Sequence, residues 1–397
     1  MAALKTLQTG CAKLAGYAVI GTCFAIPLST SIMDICSALV VLFWLLSGKA
    51  MALPRLLGRN PVAFVATTLF LYFAVAMLYS PAEIGKAFSV LMKYRELMLL
   101  PIVITLASDN ELLIRRAENA FLAGAVLLML VSFLMAASLL PLAKYGYSLL
   151  FHITHSFFMA TLAFWSFQRA IDHRRYRPVW ILIFFLATAN IVFITPGRTG
   201  MVSYAVLMVL ACMQRLNLKG KIAGCLVLFL LIPACFYTSK NFSSRIQLAL
   251  QDIIHYEPGL SRSSLGMRLD WWNNSVELIL ERPLIGNGTG SFAIKQQELI
   301  KGTKTKPTDN PHSEYLFIGV QLGLTGVFLF LILLLSQWLY ASRLSRHRKF
   351  LIQGIVLTMA TGCIMNSFLF DSHQGHFFAF LSALFLSAPK TQASHES

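Results

Sequence analysis

The sequence predicts an all-α fold: a polytopic integral membrane protein of about twelve transmembrane helices with one long, partly helical periplasmic loop. Three observations predict it. Of 397 residues, 57% are hydrophobic and only 13% charged, with a mean hydropathy of +0.67, too little polar surface to coat a soluble domain. Apolar runs of about 15–25 residues recur along the chain, the length a helix needs to cross a bilayer. One polar stretch, 240–311, interrupts them. The chain thus divides into 1–239 with about nine spans, the loop 240–311, 312–389 with about three more, and a cytoplasmic tail 390–397.

In order, spans are expected near 14–29, 31–47, 61–79, 85–106, 117–139, 151–168, 179–195, 200–213, 222–238, 312–340, 350–369 and 374–389. The first apolar run is followed at once by another, so no cleavable signal peptide is expected. With the N-terminus inside, clusters such as Lys49, Arg55 and Arg59, or Arg174, Arg175 and Arg177, or Arg346, Arg348 and Lys349, all fall inside. The short outer connections hold only Lys86, Lys144 and Arg198. The positive-inside rule then places both termini in the cytoplasm and 240–311 in the periplasm. The net charge of +16 therefore marks topology and gives no reason to expect nucleic acid as a partner. The seven cysteines lie in or beside apolar runs without a CxxC, which argues against disulfides and zinc.

Two places break the apolar pattern. The fourth run opens with Lys86, Lys93, Arg95 and Glu96, which puts three cations and one acid at bilayer depth. Such groups usually face a cavity or pathway, and one acid cannot neutralise three bases, although Arg95 and Glu96 could form a structural pair. The turn Thr195–Gly200 carries a lone Arg198 at the outer surface, either a lipid-headgroup anchor or a site residue.

The polar stretch opens with an amphipathic pattern, Ile246, Leu250, Ile253 and Ile254, suited to lying on the bilayer surface. A second helix is expected over Leu265–Arg282, capped by Ser263 or Ser264 and stopped by Pro283. Leu265, Leu269, Trp272, Val276 and Ile279 share one face of it, and Asp270, Asn274, Glu277 and Glu281 the other. Arg268 projects with the apolar face, toward the protein, where a guanidinium needs an anionic partner. The turn Gly286-Asn287-Gly288-Thr289-Gly290 reads either as a nest of backbone N–H groups for an oxyanion or as a tight turn. Asp309 or Asn310 as N-cap and Pro311 as first helical residue would place His312 in the first turn of the next helix. The positive helix end there keeps an imidazole neutral, so His312 reads either as a base able to accept a proton, with Glu314 in reserve, or as a capping or interfacial histidine. His152, His155 and the trio Asp371, His373 and His376 are further outer candidates, the trio read as interfacial packing.

Lys86, Arg198 and Arg268 with a neutral His312 suit a diphosphate clamp plus a general base. No DxD or paired acidic cluster occurs on that side, so no metal or other cofactor is expected, and the arginines would stabilise a leaving diphosphate. Direct displacement would invert the anomeric centre.

Arg198 after the seventh span, Arg268 ahead of a Trp pair, Gly286-x-Gly288, and Asn310-Pro311-His312-Ser313-Glu314-Tyr315-Leu316 followed by Gly319, Gly323 and Gly326 together resemble the O-antigen ligase family of Gram-negative inner membranes. The resemblance covers most of the chain by topology and is specific mainly over Arg198–Gly326. It implies transfer of O-antigen polysaccharide from undecaprenyl diphosphate to a sugar hydroxyl of lipid A–core, at the periplasmic face and without metal. The family's essential arginines fall on Arg198 and Arg268, and its essential histidine on His312. Ser313 departs from the Asn that related sequences often carry, which bears on the subfamily. Lys86, Lys93, Arg95, Asn310, Glu314, Gly286 and Gly288 are the expected substrate-binding positions, and membrane lipids the remaining partners. O-antigen polymerases and protein O-oligosaccharyltransferases share the loop, and a lipid-linked oligosaccharide flippase is the alternative from another class.

Overall fold

The computed structural model describes residues 2–195, 197–260 and 262–387; the expected tail 390–397 lies outside the described residues. Among these the chain is all-helical, with no strand. In chain order the helices are α1 Ala2–Ala25, α2 Thr30–Leu46, α3 Leu53–Leu57, α4 Pro61–Ala76, α5 Ile84–Lys93, α6 Glu96–Ala107, α7 Glu111–Ala136, α8 His152–Asp172 and α9 Arg177–Ala189. A π-helical turn, Asn190–Ile194, continues α9. Then come α10 Arg198–Arg215, α11 Leu218–Thr238, α12 Lys240–Ile254, α13 Ser264–Glu281, α14 Phe292–Leu299, α15 Glu314–Tyr340, α16 Arg346–Met365 and α17 Ser372–Leu386.

Local chemistry sets several starts. Asn60 accepts from the N–H groups of Val62 and Ala63, with Pro61 at the first helical position, where its missing N–H costs nothing. Ser29, Asn110 and Ser263 cap α2, α7 and α13 in the same way. Among the described residues five helical stretches are long and apolar enough to cross a membrane: Pro61–Tyr79, Glu111–Ala136, Arg174–Ile194, Glu314–Arg343 and Arg346–Met365. A sixth forms if the pair Thr30–Leu46 and Lys49–Leu57, bent by 81°, is one span. The expectation of about twelve spans therefore exceeds what length and composition support among the described residues.

The expected span 85–106 is corrected outright, because the chain breaks at Tyr94–Arg95 into α5 and α6. Arg95 has a carboxylate partner that the run itself does not contain: it pairs with Asp34 of α2 at 2.6 Å. The one-acid count over that run missed Asp34 because it comes from another helix.

At the centre sits α17, buried along Gln374–Leu386, and a helix apolar on all sides needs such a place. Phe121, Phe157, Phe158 and Trp165 of α7 and α8 pack edge-on or tilted around its Phe377. One end of the bundle is tied by Arg169–Glu118 at 2.6 Å and Arg215–Asp172 at 2.7 Å, with His347 Nδ1 2.7 Å from Asp172. These residues lie at the start of α7 and α16 and at the end of α8 and α10. The opposite end gathers the starts of α8, α10 and α15 and the end of α16.

There α15 is broken at Gly323, whose φ of 67° and ψ of −169° are not helical. The turn after α13 fills the break: Leu324 N donates to Pro283 O (2.7 Å), Asn287 N to Val320 O (2.8 Å) and Gly288 N to Gln321 O (2.8 Å). A Cβ on Gly323 would overlap the Leu284 backbone, and one on Gly286 the Gln321 backbone, so glycine is required where these two segments meet.

Candidate active site

His312 sits in the short segment between α14 and α15, and hydrogen bonds fix its backbone. Asn310 Oδ1 accepts from His312 N and from the Ser367 hydroxyl, both at 2.7 Å, and Trp272 Nε1 donates to Pro311 O at 3.0 Å. His312 has φ 55°, the left-handed region that non-glycine residues seldom occupy. The helix starts only at Glu314, with Ser313 as cap residue. This corrects two expectations: Asn310 is no N-cap, and His312 is outside the first turn, ahead of the spanning helix. Its neutrality has a different origin from the helix dipole. Burial first, and then the Arg268 charge, lower its pKa to about 4, so the imidazole is neutral at pH 7. The Trp271 ring lies 5.5 Å from it, centroid to centroid.

Arg268 faces the protein, as its place on the wheel indicates, and Nη1 donates to Met365 O at 3.0 Å. That carbonyl is neutral, so the charge is not offset there. Burial, and then Arg198, weaken the guanidinium's hold on its proton. The rest of α13 is rotated by about one residue from the expected face. Trp271, Ser275 and Leu278 are buried, whereas Val276 is 47% exposed. Asp270, expected in water, is buried and accepts from Tyr256 OH (2.8 Å) and Gly259 N (2.9 Å).

Arg198 opens α10 and lies 3.5 Å from Asp252 of α12. Arg198, Arg245 and Arg268 all act electrostatically on His152, so three cations from three helices share one region. Sequence reasoning missed Arg245, which stands near the start of the expected surface helix.

A polar pair at the end of α16, also missed, ties these pieces together. Asn366 Nδ2 donates to Thr199 Oγ1 (2.8 Å), beside Arg198, and Asn366 O accepts from Glu314 N (3.3 Å). Ser367 holds Asn310, and Met365 holds Arg268. The sequence signal was there: Asn366-Ser367 closes an otherwise apolar run directly before Phe368.

Other expected positions have structural duties. Glu314 is buried, with Oε1 accepting from Tyr94 OH (2.9 Å) and Oε2 from the amides of Leu369 (2.8 Å) and Phe370 (3.1 Å). It anchors the start of α15. The amides of the Gly286–Gly290 turn are engaged within the protein, Gly290 N by Gln321 Oε1 at 2.8 Å and Thr289 N by Ala76 O at 3.2 Å. Gly286 and Gly288 thus form the tight turn, and the oxyanion nest is not formed. Lys86 is exposed on α5, and Lys93 Nζ lies 5.9 Å from the Phe370 ring; neither appears among the charges acting on His152 or His312. His373 Nδ1 meets Ile26 O (2.6 Å), His376 Nδ1 meets Ser372 O (2.8 Å), and His155 bonds Ser148 and Asn190. Among the described residues no group of three or more His, Cys, Asp or Glu is arranged to hold a metal.

Two comparisons with known proteins bear on this site. A stretch of 118 residues is 30% identical to a protein of Haemophilus influenzae described as uncharacterized, covering 28% of this chain and 30% of that relative's length. The chain therefore matches less than a third of that relative. Residues 182–331 match the family model described as O-antigen ligase. The match points to a glycosyltransferase of the O-antigen ligase or polymerase type. It contains Arg198, Arg245, Arg268 and His312, and over this stretch the resemblance read from the motifs is borne out.

Proposed function

We propose that the protein is an inverting glycosyltransferase that moves O-antigen polysaccharide from undecaprenyl diphosphate to a sugar hydroxyl of lipid A–core, at the periplasmic face of a Gram-negative inner membrane and without a metal ion. The observation that carries this reading is the gathering of Arg198, Arg245 and Arg268 around His152, with Arg268 also acting on a neutral His312 and Asp252 as the carboxylate beside Arg198. Half-buried cations in excess of their carboxylates favour an anionic ligand, and a diphosphate supplies the charge and the oxygens for bidentate bonds.

In the reaction, the acceptor hydroxyl gives its proton to an imidazole nitrogen of His312 as its oxygen forms a bond to the anomeric carbon. The bond from that carbon to the diphosphate oxygen breaks, and the electron pair leaves with the diphosphate, where the arginines stabilise it. The product is a glycoside of inverted configuration and undecaprenyl diphosphate, and the His312 proton passes to solvent or to the diphosphate. Donor binding also prepares the base. A dianion beside Arg268 offsets the charge that depresses His312, which raises its pKa from about 4 toward the range of an effective base.

The test is transfer by purified protein in liposomes holding a lipid-linked glycan, with lipid A–core or with glycan alone. The reading expects glycan on lipid A–core and persistence of transfer in EDTA. Chain extension with glycan alone would make it a polymerase. Movement of donor across the bilayer with no new glycosidic bond would make it a transporter. Loss in EDTA with recovery in Mg²⁺ would overturn the arginine account.

A further inference from the structure

Arg198 and Arg245 reach the site from different helices, yet the residues leading into both helices, Thr195 and Ser239, are bonded to one short irregular segment. The turn Asn190–Ile194 is π-helical, closed by a bond from Thr195 N to Asn190 O of 2.9 Å. A π turn holds one residue more than an α turn, so it re-aims the chain beyond it and leaves carbonyls without their usual partners. Thr195, buried, comes three residues before Arg198.

The side chain of Asn190, fully buried, makes three hydrogen bonds. Oδ1 accepts from the Thr195 hydroxyl (2.7 Å) and from His155 Nε2–H (2.8 Å), and Nδ2 donates to Ser132 Oγ (3.0 Å). With its proton on Nε2, His155 accepts at Nδ1 from the Ser148 hydroxyl at 2.8 Å, and that hydroxyl oxygen accepts from Leu150 N at 3.0 Å. On the other side, Ser239 Oγ donates to Val192 O at 2.7 Å, one of the carbonyls within the π turn. Ser239 immediately precedes α12, the helix of Arg245 and Asp252.

We infer that the π turn Asn190–Ile194 is the positioning joint of the anion site. Asn190, locked from behind by His155 and Ser132, sets Thr195 and hence Arg198, while Val192 O sets Ser239 and hence Arg245 and Asp252. Asn190 is a positioning residue, not a catalytic one. A chain of buried polar groups gains little net stability over an apolar plug, but each bond has one geometry, and what it fixes is a single register for both arms of the site. The catalytic consequence rests on the reading of Arg198 as a grip on the donor phosphate.

The experiment uses the full-length purified protein and two variants. Thr195→Val removes only the hydroxyl that Asn190 holds, and Asn190→Leu removes the whole joint; the first keeps the test informative if the second misfolds. Phenylglyoxal modification, followed residue by residue by mass spectrometry, reads the setting of Arg198 without any activity. The modification rate of Arg198 is expected to change by about fivefold or more, the scale of one lost hydrogen bond, while that of Arg268 stays put. An unchanged Arg198 rate in both variants overturns the joint. In transfer assays the donor KM should rise with the acceptor KM unaltered, and in an Arg198→Ala background Thr195→Val should have no further effect. Losses that multiply instead show a merely structural role and overturn the inference. A changed Arg198 rate with normal transfer supports the joint and overturns the donor-grip reading, so the two fail separately.

Discussion

At the scale of single residues, the site turns on what surrounds His312. Its pKa lies below the ordinary histidine value because burial and Arg268 disfavour the imidazolium. The neutral base is therefore present above about pH 4 and lost as pH falls through it. The pH profile of kcat/KM for the donor, which reports the free protein, should be flat from neutrality down to about pH 5.5 and fall only nearer 4. In Arg268→Gln the falling limb should move up toward the usual histidine range, at a lower maximum. A wild-type inflection near 6.5 would mean His312 is not the titrating base. His312→Gln should keep donor binding and lose roughly 10²-fold in transfer. Arg268→Lys keeps the charge but not the planar fork, and should cost about tenfold or more in transfer if that fork grips phosphate oxygens; near-normal turnover would reduce it to a general positive field. These residues were legible because each combines an unusual side chain with a place in a motif. Arg245, Asn366 and Asp34 were not, since their significance comes from residues far off in sequence that only the fold brings beside them.

Among the elements, α13 and α15 show how far periodicity carries. The bounds of α13 were readable from Ser263 and Pro283, because caps and stops act locally. Its buried stripe was misplaced by about one position, because the 256–259 segment covers Asp270 and Trp271 Nε1 donates to Lys306 O at 2.9 Å, contacts that no wheel contains. The break in α15 was invisible for the same reason: an apolar run of that length reads as one helix, and Gly323 is required only because the 283–288 turn inserts against it. Gly323→Ala should therefore undock that turn and lower the thermal unfolding temperature, even though alanine is the better helix former. A more stable variant would show that the break is incidental. Glu314→Gln tests the anchor assigned above. One of its three donors loses its acceptor, at a cost of about 1–3 kcal/mol, so unfolding shifts to lower temperature while transfer per folded molecule stays close to wild type. A fully folded but inactive Glu314→Gln would return the carboxylate to the chemistry.

For the whole molecule, the fold class was readable because bilayer length and polarity are averages over many residues, whereas the number of crossings was not, because bends such as that between α2 and α3 and breaks such as Tyr94–Arg95 depend on neighbours. The two ends of the bundle differ in charge. Arg169, Arg174, Arg175, Arg177, Arg215, Arg346 and Arg348 crowd one end, and the candidate site lies at the other. If the positive-inside bias sets orientation, the crowded end is cytoplasmic and the site, with 240–311, faces the periplasm. This can be read directly with single cysteines in a cysteine-free background and a membrane-impermeant maleimide. Thr303 and Arg175 are both exposed and lie on opposite sides of that proposal. Thr303→Cys should label in spheroplasts before permeabilisation, and Arg175→Cys only after it. The reverse order would put His312 and the three arginines of the candidate site in the cytoplasm, where transfer to lipid A–core at the outer face could not occur. The proposed reaction would then fall with the topology, while the hydrogen-bonded joint at Asn190 would be untouched.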